Sequence, residues 1–371
     1  ENFLRDLLEA LSESDVSVSA LVHHHERGAR VSVEREGGFA VRRIPSWGQA
    51  VYVPVSPSFP FHLREHIRQF RPDILHLHFP NPSAFWCLLI PEARAVPWVI
   101  HWHSDVVPSG IDRRLRLFYQ GYKPFEQSCL RRSKSVICTS RPYLEASLPL
   151  KPWVSKCGVV PLGLNPERFF DSEDERVPPR GCEWPEGGLR VLAVGRLTYY
   201  KGFEFLIRAA QAVENISVQI VGGGGLEERL KREIALGRVG HRVFLRGQVS
   251  DAALRRLLST CDCLCLPSVE RTEAFGLVLL EAMGYGKALV ASDIPGSGVG
   301  WVLRKSRGGI PVKPGDHQAL AGALAGLANE PSRCRDLGKN GRMEFNRTFH
   351  IRRVALRIKE IYERLRYASP G

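Results

Sequence analysis

Two glutamates, Glu273 and Glu281, are separated by seven residues in the stretch ERTEAFGLVLLEAMGYG (270–286). The apolar residues around Glu281 predict that it lies inside a helix, where burying a carboxylate costs free energy unless a donor hydrogen-bonds it. A ribose diol would supply two such hydroxyl donors. The backbone N–H groups of residues 274–276, at the predicted start of that helix, suit an anion or sugar hydroxyls. In the alternative interpretation, Glu281 faces solvent and Glu273 caps the helix.

Two cations, Arg196 and Lys201, flank a predicted turn in AVGRLTYYKG (193–202), just before another helix. Fixed cations beside a helix N-terminus suit a diphosphate, and they can stabilise the negative charge that grows on a departing phosphate. Both constellations follow strands of one predicted sheet. Since ligands of such sheets bind beyond the carboxyl ends of the strands, we expect the two groups to face one cleft.

The second half of the chain alternates apolar strands with helices, as a parallel sheet covered on both faces requires. Ser250 is a predicted N-cap within this series. The predicted strands are 189–195, 217–222, 242–247, 263–267 and 288–292, and the predicted helices are 201–213, 226–236, 251–261 and 275–283.

The first half shows the same alternation, and it opens in a helical pattern from Phe3 to Leu11. A further helix is predicted to end at Pro72. Acidic residues, proline and glycine in 171–188 indicate an exposed linker. We therefore predict an N-terminal domain over 1–168, a second domain over 169–348, and a C-terminal helix over 349–371 that packs back on the first domain. The predicted strands of the first half are 16–22, 73–79, 97–103 and 135–140.

A chain of 371 residues is too long for one compact core. It has no apolar run long enough to span a bilayer. Nine cysteines without a C-x-x-C pair argue against a disulfide framework and a zinc ribbon, and they favour a reducing, cytoplasmic location.

The net charge of +13 favours an anionic partner. No nucleic-acid-binding module is recognisable, so nucleic acid is not expected. Phosphorylated substrates or an anionic membrane surface account for the charge equally well. Basic and aromatic residues alternate over 111–134, which suits peripheral docking at the inner face of a membrane. A packed helix with a solvated basic face is the alternative.

Histidines occur in two pairs on predicted strands, His76 with His78 and His101 with His103. Members of a pair are two residues apart, so they share one face of the strand. A metal site is conceivable there, but no pattern identifies a third ligand.

The stretch VGGGG (221–225) partly matches a dinucleotide-binding fingerprint. It fails because Glu227 stands where the third glycine belongs, and because the run follows the second strand of its domain. A nicotinamide-dependent enzyme is therefore not expected.

In combination, these motifs resemble the retaining glycosyltransferases of the large family-4 group, which includes glycogen-synthase-like and bacterial cell-surface glycan enzymes. The resemblance implies an α/β fold of the GT-B type, with two Rossmann-like, doubly wound parallel-sheet domains facing a central cleft. It also implies that the first domain binds the acceptor and the second binds the nucleotide-sugar. The stretches that carry it are the Glu-x7-Glu stretch, GRLTYYKG (195–202), VPLGLNPERF (160–169), VGGGG (221–225) and PVKPGDHQALAGAL (311–324).

The resemblance also implies roles. Arg196 and Lys201 would hold the donor diphosphate and support its departure, Glu281 would bind the ribose, and Glu273 would lie against the donor sugar. His103, in HWHSD, matches a family histidine that orients the donor sugar. Further donor contacts are expected from Gly223, Ala274, Phe275, Gly276 and Leu277.

The implied reaction transfers a hexosyl group, with retention, from a nucleotide-diphospho-sugar to a glycan or lipid-linked glycan. UDP-sugar is the first candidate donor and GDP-mannose the second. No cofactor and no metal are expected, because side-chain cations neutralise the phosphates. A phosphorylase, an epimerase and a non-catalytic scaffold are the alternatives. The family opens with a strand and a glycine-rich loop, and the printed sequence begins after both; we expect them to be missing through trimming or disorder.

Overall fold

The computed structural model describes residues 2–50, 53–106, 113–169 and 181–367. The chain forms two compact units. The first comprises residues 1–139, 144–161 and 351–371, and the second comprises 140–143 and 162–350. Most of the predicted linker, 171–188, lies outside the described residues.

The first unit contains a three-stranded sheet, a short hairpin and a four-stranded sheet. Its strands are β1 (Ser19–Arg27), β2 (Ser32–Glu36), β3 (Phe39–Ser46), β4 (Gly48–Ala50), β5 (Val53–Val55), β6 (Leu75–Phe79), β7 (Trp98–Trp102), β8 (Ser135–Cys138) and β9 (Cys157–Val159). Its helices are α1 (Asn2–Ser12), α2 (Phe59–Phe70), α3 (Pro91–Arg94), α4 (Arg113–Arg132) and α5 (Arg141–Ala146), whose first residues belong to the second unit.

The four-stranded sheet of the first unit has the order β6-β7-β8-β9 and is entirely parallel. Every residue of β7 is buried, as a strand covered on both faces requires, and His101 is its one polar side chain. In the other sheet β1 pairs with β3 in parallel, while β2 pairs with β3 antiparallel. The strands β2 to β5 and β9 were not among the predicted elements.

The C-terminal helix α13 (Ile351–Tyr367) belongs to the first unit, where it packs on α1. Its apolar stripe is buried at Ile351, Val354 and Ile358. Lys359 Nζ donates to the backbone oxygen of Ser14 over 2.8 Å. The chain therefore returns to its first unit at the end.

The second unit is one six-stranded parallel sheet with the order β12-β11-β10-β13-β14-β15. Strands are added on one side of β10 and then on the other, so the order reverses between β10 and β13. Side chains in the open crevice at such a reversal are placed to bind ligand. The strands are β10 (Leu189–Val194), β11 (Ile216–Val221), β12 (Val243–Gly247), β13 (Cys263–Leu266), β14 (Ala288–Ser292) and β15 (Gly309–Val312).

Helices connect these strands and cover the sheet. They are α6 (Phe203–Ala212), α7 (Glu227–Leu236), α8 (Asp251–Thr260), α9 (Leu277–Gly284), α10 (Gly298–Ser306), α11 (His317–Asn329) and α12 (Pro331–Glu344). The predicted cap is present, since Ser250 Oγ accepts from the backbone N–H of Ala253 over 3.2 Å. All residues of β13 and β14 are buried, as a strand covered on both faces requires.

Candidate functional site

The loops that follow β10 and β13 carry the predicted phosphate and sugar contacts of the second unit. These strands are neighbours, with Val191 opposite Cys263 and Leu192 opposite Leu264. Because both strands run in the same direction, their carboxyl ends open at the same edge of the sheet. Arg196 and Lys201 leave from one end, and residues 270–276 leave from the other.

Lys201 and Glu273 form an ion pair, with 2.5 Å between Lys201 Nζ and Glu273 Oε2. Each side chain is only 12% exposed. Ser268 Oγ donates a second hydrogen bond to the same carboxylate oxygen over 3.1 Å. The structure thus brings together two residues that are 72 positions apart in sequence, and it holds the carboxylate in a fixed orientation.

The two loops are also tied together beside this pair. Tyr199 OH donates to Glu270 Oε1 over 2.5 Å, and the backbone N–H of Val269 donates to the oxygen of Tyr200 over 2.8 Å. Neither tyrosine nor Glu270 was predicted as part of the site. The signal was present in the motifs themselves, since all three residues lie inside the two quoted stretches.

The glycine run after β11 lets two turns approach each other closely. A Cβ on Gly222 would lie 2.0 Å from the backbone oxygen of Gly195, and one on Gly224 would lie 2.6 Å from that of Leu197. The oxygen of Gly223 accepts from the N–H of Leu197 over 3.0 Å. Gly223 therefore supports the loop that carries Arg196.

Helix α9 begins directly after Gly276, which is its N-cap residue and has a φ of +77°. Glu273 therefore does not cap this helix, as one interpretation of the sequence had it. The loop before the helix is fixed by backbone contacts, because the oxygen of Ala274 accepts from the N–H of Gly298 over 2.7 Å. Phe275 is buried, and Leu277 is the first helical residue.

Glu281 lies one turn further along α9, four residues after Leu277, and it is half-buried. Residues four apart lie on the same face of a helix, so Glu281 shares a face of α9 with Leu277, the first helical residue. The interior helical position agrees with the prediction from the apolar residues around it.

Arg196 is exposed, and its guanidinium makes no ion pair or hydrogen bond with any part of the chain that the structure describes. Its charge is therefore not neutralised by a neighbouring carboxylate. With Lys201 held by Glu273, the loop after β10 presents one unpaired cation and one paired cation.

His103 belongs to the first unit and follows β7 directly. Its Nε2 lies 2.8 Å from Nδ1 of His78, and its ring stacks on that of His101 with 4.4 Å between centroids. Burial holds the pKa of His103 well below its usual range, so the ring is neutral near pH 7. A neutral histidine can donate or accept a hydrogen bond but carries no charge.

The family comparisons agree with the motifs. The family described as "Glycosyl transferase 4-like domain" matches residues 1–163, and "Glycosyl transferases group 1" matches residues 179–344. The O-antigen chain mannosyltransferase C of Escherichia coli is 32% identical over 281 residues, which cover 75% of this chain and 71% of the relative. The chain belongs to the family-4 glycosyltransferases.

Other family-4 glycosyltransferases and solved structures extend the match. The phosphatidyl-myo-inositol mannosyltransferase of Mycobacterium leprae is 31% identical over 328 residues, 86% of this chain and 81% of that protein. Sucrose-phosphate synthase from Thermosynechococcus elongatus superimposes with a TM-score of 0.79 and 25% identity, over 99% of this chain and 93% of that one. Anabaena HepE in complex with UDP gives a TM-score of 0.75 at 18% identity, over 98% and 95%. The fold is therefore GT-B, with two Rossmann-like units.

The basic segment 111–134 contains the whole of α4. The side chains of residues 111–116, which include three of the seven basic residues of this segment, lie outside the described residues. Further along the helix, Leu117 and Phe125 are exposed. No helix in the described ranges is long and apolar enough to cross a membrane.

Proposed function

We propose that the protein is a retaining hexosyltransferase that uses a nucleotide-diphospho-sugar bound by the second unit. The observation that carries the proposal is the Lys201–Glu273 ion pair beside an unpaired Arg196. A diphosphate requires cations, and a sugar hydroxyl requires an acceptor. This edge of the sheet offers both within two neighbouring loops.

In the proposed reaction, the bond between the anomeric carbon and the diphosphate oxygen breaks while the acceptor oxygen bonds to the same face of that carbon. The acceptor proton passes to the departing phosphate. Arg196 and Lys201 stabilise the charge that develops on this phosphate. Because both are side-chain cations, we expect transfer without added divalent metal.

The remaining contacts follow from the geometry of α9. Backbone N–H groups of Ala274, Phe275, Gly276 and Leu277 stand at its N-terminus, where donors and the helix dipole favour oxygen atoms of the donor. Glu281 would accept hydrogen bonds from the ribose hydroxyls. Glu273 would accept from the donor sugar.

The identity of the donor is a separate proposal. The sequence favoured a UDP-sugar over GDP-mannose. However, relatives at 32% and 31% identity are named as mannosyltransferases, whereas the UDP complex belongs to a structure at 18% identity. We therefore propose mannose as the transferred sugar, with GDP as the first nucleotide to test and UDP as the second.

The proposed acceptor is a glycan or lipid-linked glycan, as the names of the relatives suggest. In this proposal His103 orients the sugar by hydrogen bonding, because its neutral ring supplies no charge. Docking at an anionic membrane surface on the cytoplasmic side stays a prediction from the sequence.

The test is a thermal-shift panel with UDP, GDP, ADP and their sugars. Stabilisation by one diphosphate that is lost in both Arg196→Ala and Glu281→Ala would support the site and identify the base. Arg229→Ala, at an exposed arginine of α7, is the matched control. No stabilisation by any nucleotide would favour the scaffold alternative, and proton NMR of the anomeric product would decide between retention and inversion.

A further inference from the structure

Four histidines of the first unit lie on one face of its parallel sheet. β6 and β7 are in a register that places His78 opposite His101, and His76 lies two residues before His78. The rings of His76 and His101 have centroids 5.4 Å apart, and those of His78 and His101 are 5.3 Å apart. One ligand nitrogen from each of His76, His78 and His101 lies within 4.8 Å of the other two.

These histidines leave polar atoms without partners. His101 is completely buried, and neither of its ring nitrogens has a hydrogen-bond partner in the described part of the chain. The same holds for Nε2 of His76. A buried donor or acceptor left unpaired destabilises the fold, so an arrangement with three such nitrogens on neighbouring strands requires an explanation.

Two further contacts, each at Nδ1 of a histidine, fix the orientation of the His76 and His78 rings. Nδ1 of His76 lies 2.5 Å from Tyr362 OH, on α13, and Nδ1 of His78 lies 2.8 Å from Nε2 of His103. A metal-bound histidine characteristically uses its second ring nitrogen in this way, which fixes the ring and leaves the first nitrogen for the ion.

The protonation state also suits metal binding. Burial lowers the pKa of His78 to about 4 and holds those of His76 and His101 well below the usual range. The imidazoles are therefore neutral at physiological pH, and only the neutral ring can act as a ligand.

We propose that His76, His78 and His101 form a binding site for a divalent transition-metal ion, with Zn²⁺ as the first candidate. Three imidazoles and a water molecule would complete a tetrahedral set. Zn–N bonds of 2.0–2.1 Å place neighbouring ligand atoms roughly 3.4 Å apart, so the side chains must rotate to converge on the ion. The proposal does not depend on glycosyl transfer, which uses side-chain cations.

The site has a net positive charge when occupied, because no carboxylate or thiolate joins the three histidines among the described residues. Binding is therefore weaker than at a cysteine-ligated structural zinc site. An ion there would link β6 and β7 to α13 through Tyr362, and it would fix His103 through His78. The site would thus stabilise the first unit and hold His103 in position.

The test is a Co²⁺ titration of the untagged full chain, followed by absorption and then by displacement with Zn²⁺. We expect one ion per chain with the visible bands of tetrahedral cobalt, and a rise in Tm with Zn²⁺. His101→Leu should weaken binding at least 100-fold. Tyr362→Phe, which removes one hydroxyl and no ligand, should weaken it about 10- to 100-fold.

His66→Ala, at a histidine on α2 outside the group, is the matched control and should leave the affinity unchanged. A thiolate-to-cobalt charge-transfer band, no tetrahedral spectrum, or equal affinity in Tyr362→Phe and the unmodified chain would overturn the proposal. Nucleotide binding by the second unit is measured in parallel. Its failure would count against the proposed function and not against the metal site.

Discussion

Lys201 Nζ lies 2.5 Å from Glu273 Oε2, so the cation predicted to hold the donor phosphates is paired with the carboxylate predicted to lie against the donor sugar. A lysine ammonium has three donors, and one bond to Glu273 leaves two for phosphate oxygens. The pair therefore positions both groups before the donor binds.

The first prediction concerns this ion pair. Lys201→Met leaves the carboxylate of Glu273 largely buried without its cation, which should lower the free energy of unfolding of the second unit by about 3 kcal/mol or less. Glu273→Gln added to Lys201→Met should restore part of that loss, because the unpaired charge is removed. Transfer activity should stay lost in both variants.

A double-mutant cycle, with free energies of unfolding measured in urea, gives the coupling energy between Lys201 and Glu273. Additive effects of the two substitutions would show that the pair is an accident of packing. A double variant that regained both stability and transfer would remove Lys201 and Glu273 from the proposed chemistry.

The second prediction separates binding of the diphosphate from folding. Arg196→Ala removes an exposed cation that no described residue pairs with, so its Tm should match that of the unmodified chain. The rate of transfer should fall about 10²- to 10³-fold, the loss typical of removing one preorganised group that stabilises transition-state charge. Steady-state kinetics measures the transfer rate of Arg196→Ala, with Arg196→Lys as the conservative variant for comparison. A Tm fall that accounted for the lost rate would contradict this role.

The third prediction concerns the start of α9. Gly276 has a φ of +77°, and a Cβ there would lie 2.9 Å from Cδ2 of Leu266. Gly276→Ala should therefore destabilise the second unit and weaken nucleotide binding, because the N–H groups at the helix start would shift. Gly322→Ala is the control, since this glycine lies inside α11 and an added Cβ would have no other atom within 4 Å. It should stabilise the fold by about 0.5–1 kcal/mol. Thermal melts with and without nucleotide compare the two variants.

Much of the second unit could be predicted from sequence because its signals are local. Apolar strands and helix patterns identified β10 to β14 and the helices between them, and the two motif stretches lie at or beyond the carboxyl ends of the neighbouring strands β10 and β13. The close approach of Gly222 to Gly195 could not be predicted, since it depends on how two turns pack in three dimensions.

The first unit was less predictable. Strands β2, β4 and β5 have only three to five residues each. The eight-residue β3 is interrupted by Arg42, Arg43 and Pro45, so none of the four has the apolar run that indicated the other strands. The histidine pairs correctly indicated shared faces, but the register of β6 and β7 and the contact from Tyr362 determine which nitrogens meet. Tyr362 is 286 residues from His76, and no local pattern connects them.

The last prediction is a pH dependence within the first unit. Glu126 on α4 is completely buried and accepts a hydrogen bond from Tyr119 OH over 3.1 Å. The pKa of this carboxyl is raised from 4.5 to about 7, chiefly by burial and to a smaller extent by the nearby Asp105, while the Tyr119 hydrogen bond opposes the shift. Between these two values the folded state keeps a proton that the unfolded chain loses. Stability therefore falls as pH rises from about 4.5 to about 7, and then levels off.

Glu126→Gln stays neutral at every pH and can still accept the bond from Tyr119. The free energy of unfolding of Glu126→Gln should equal that of the unmodified chain at pH 4.5. At pH 8 it should exceed that of the unmodified chain by as much as about 3 kcal/mol. Urea unfolding at pH 4.5, 6 and 8 measures it, with Glu214→Gln at an exposed position as the control. A difference that shrank with rising pH would mean that Glu126 is ionised in the fold, so that a cation must compensate it. A constant difference would mean that the two states bind the proton equally, because only a pKa that changes on folding produces a slope.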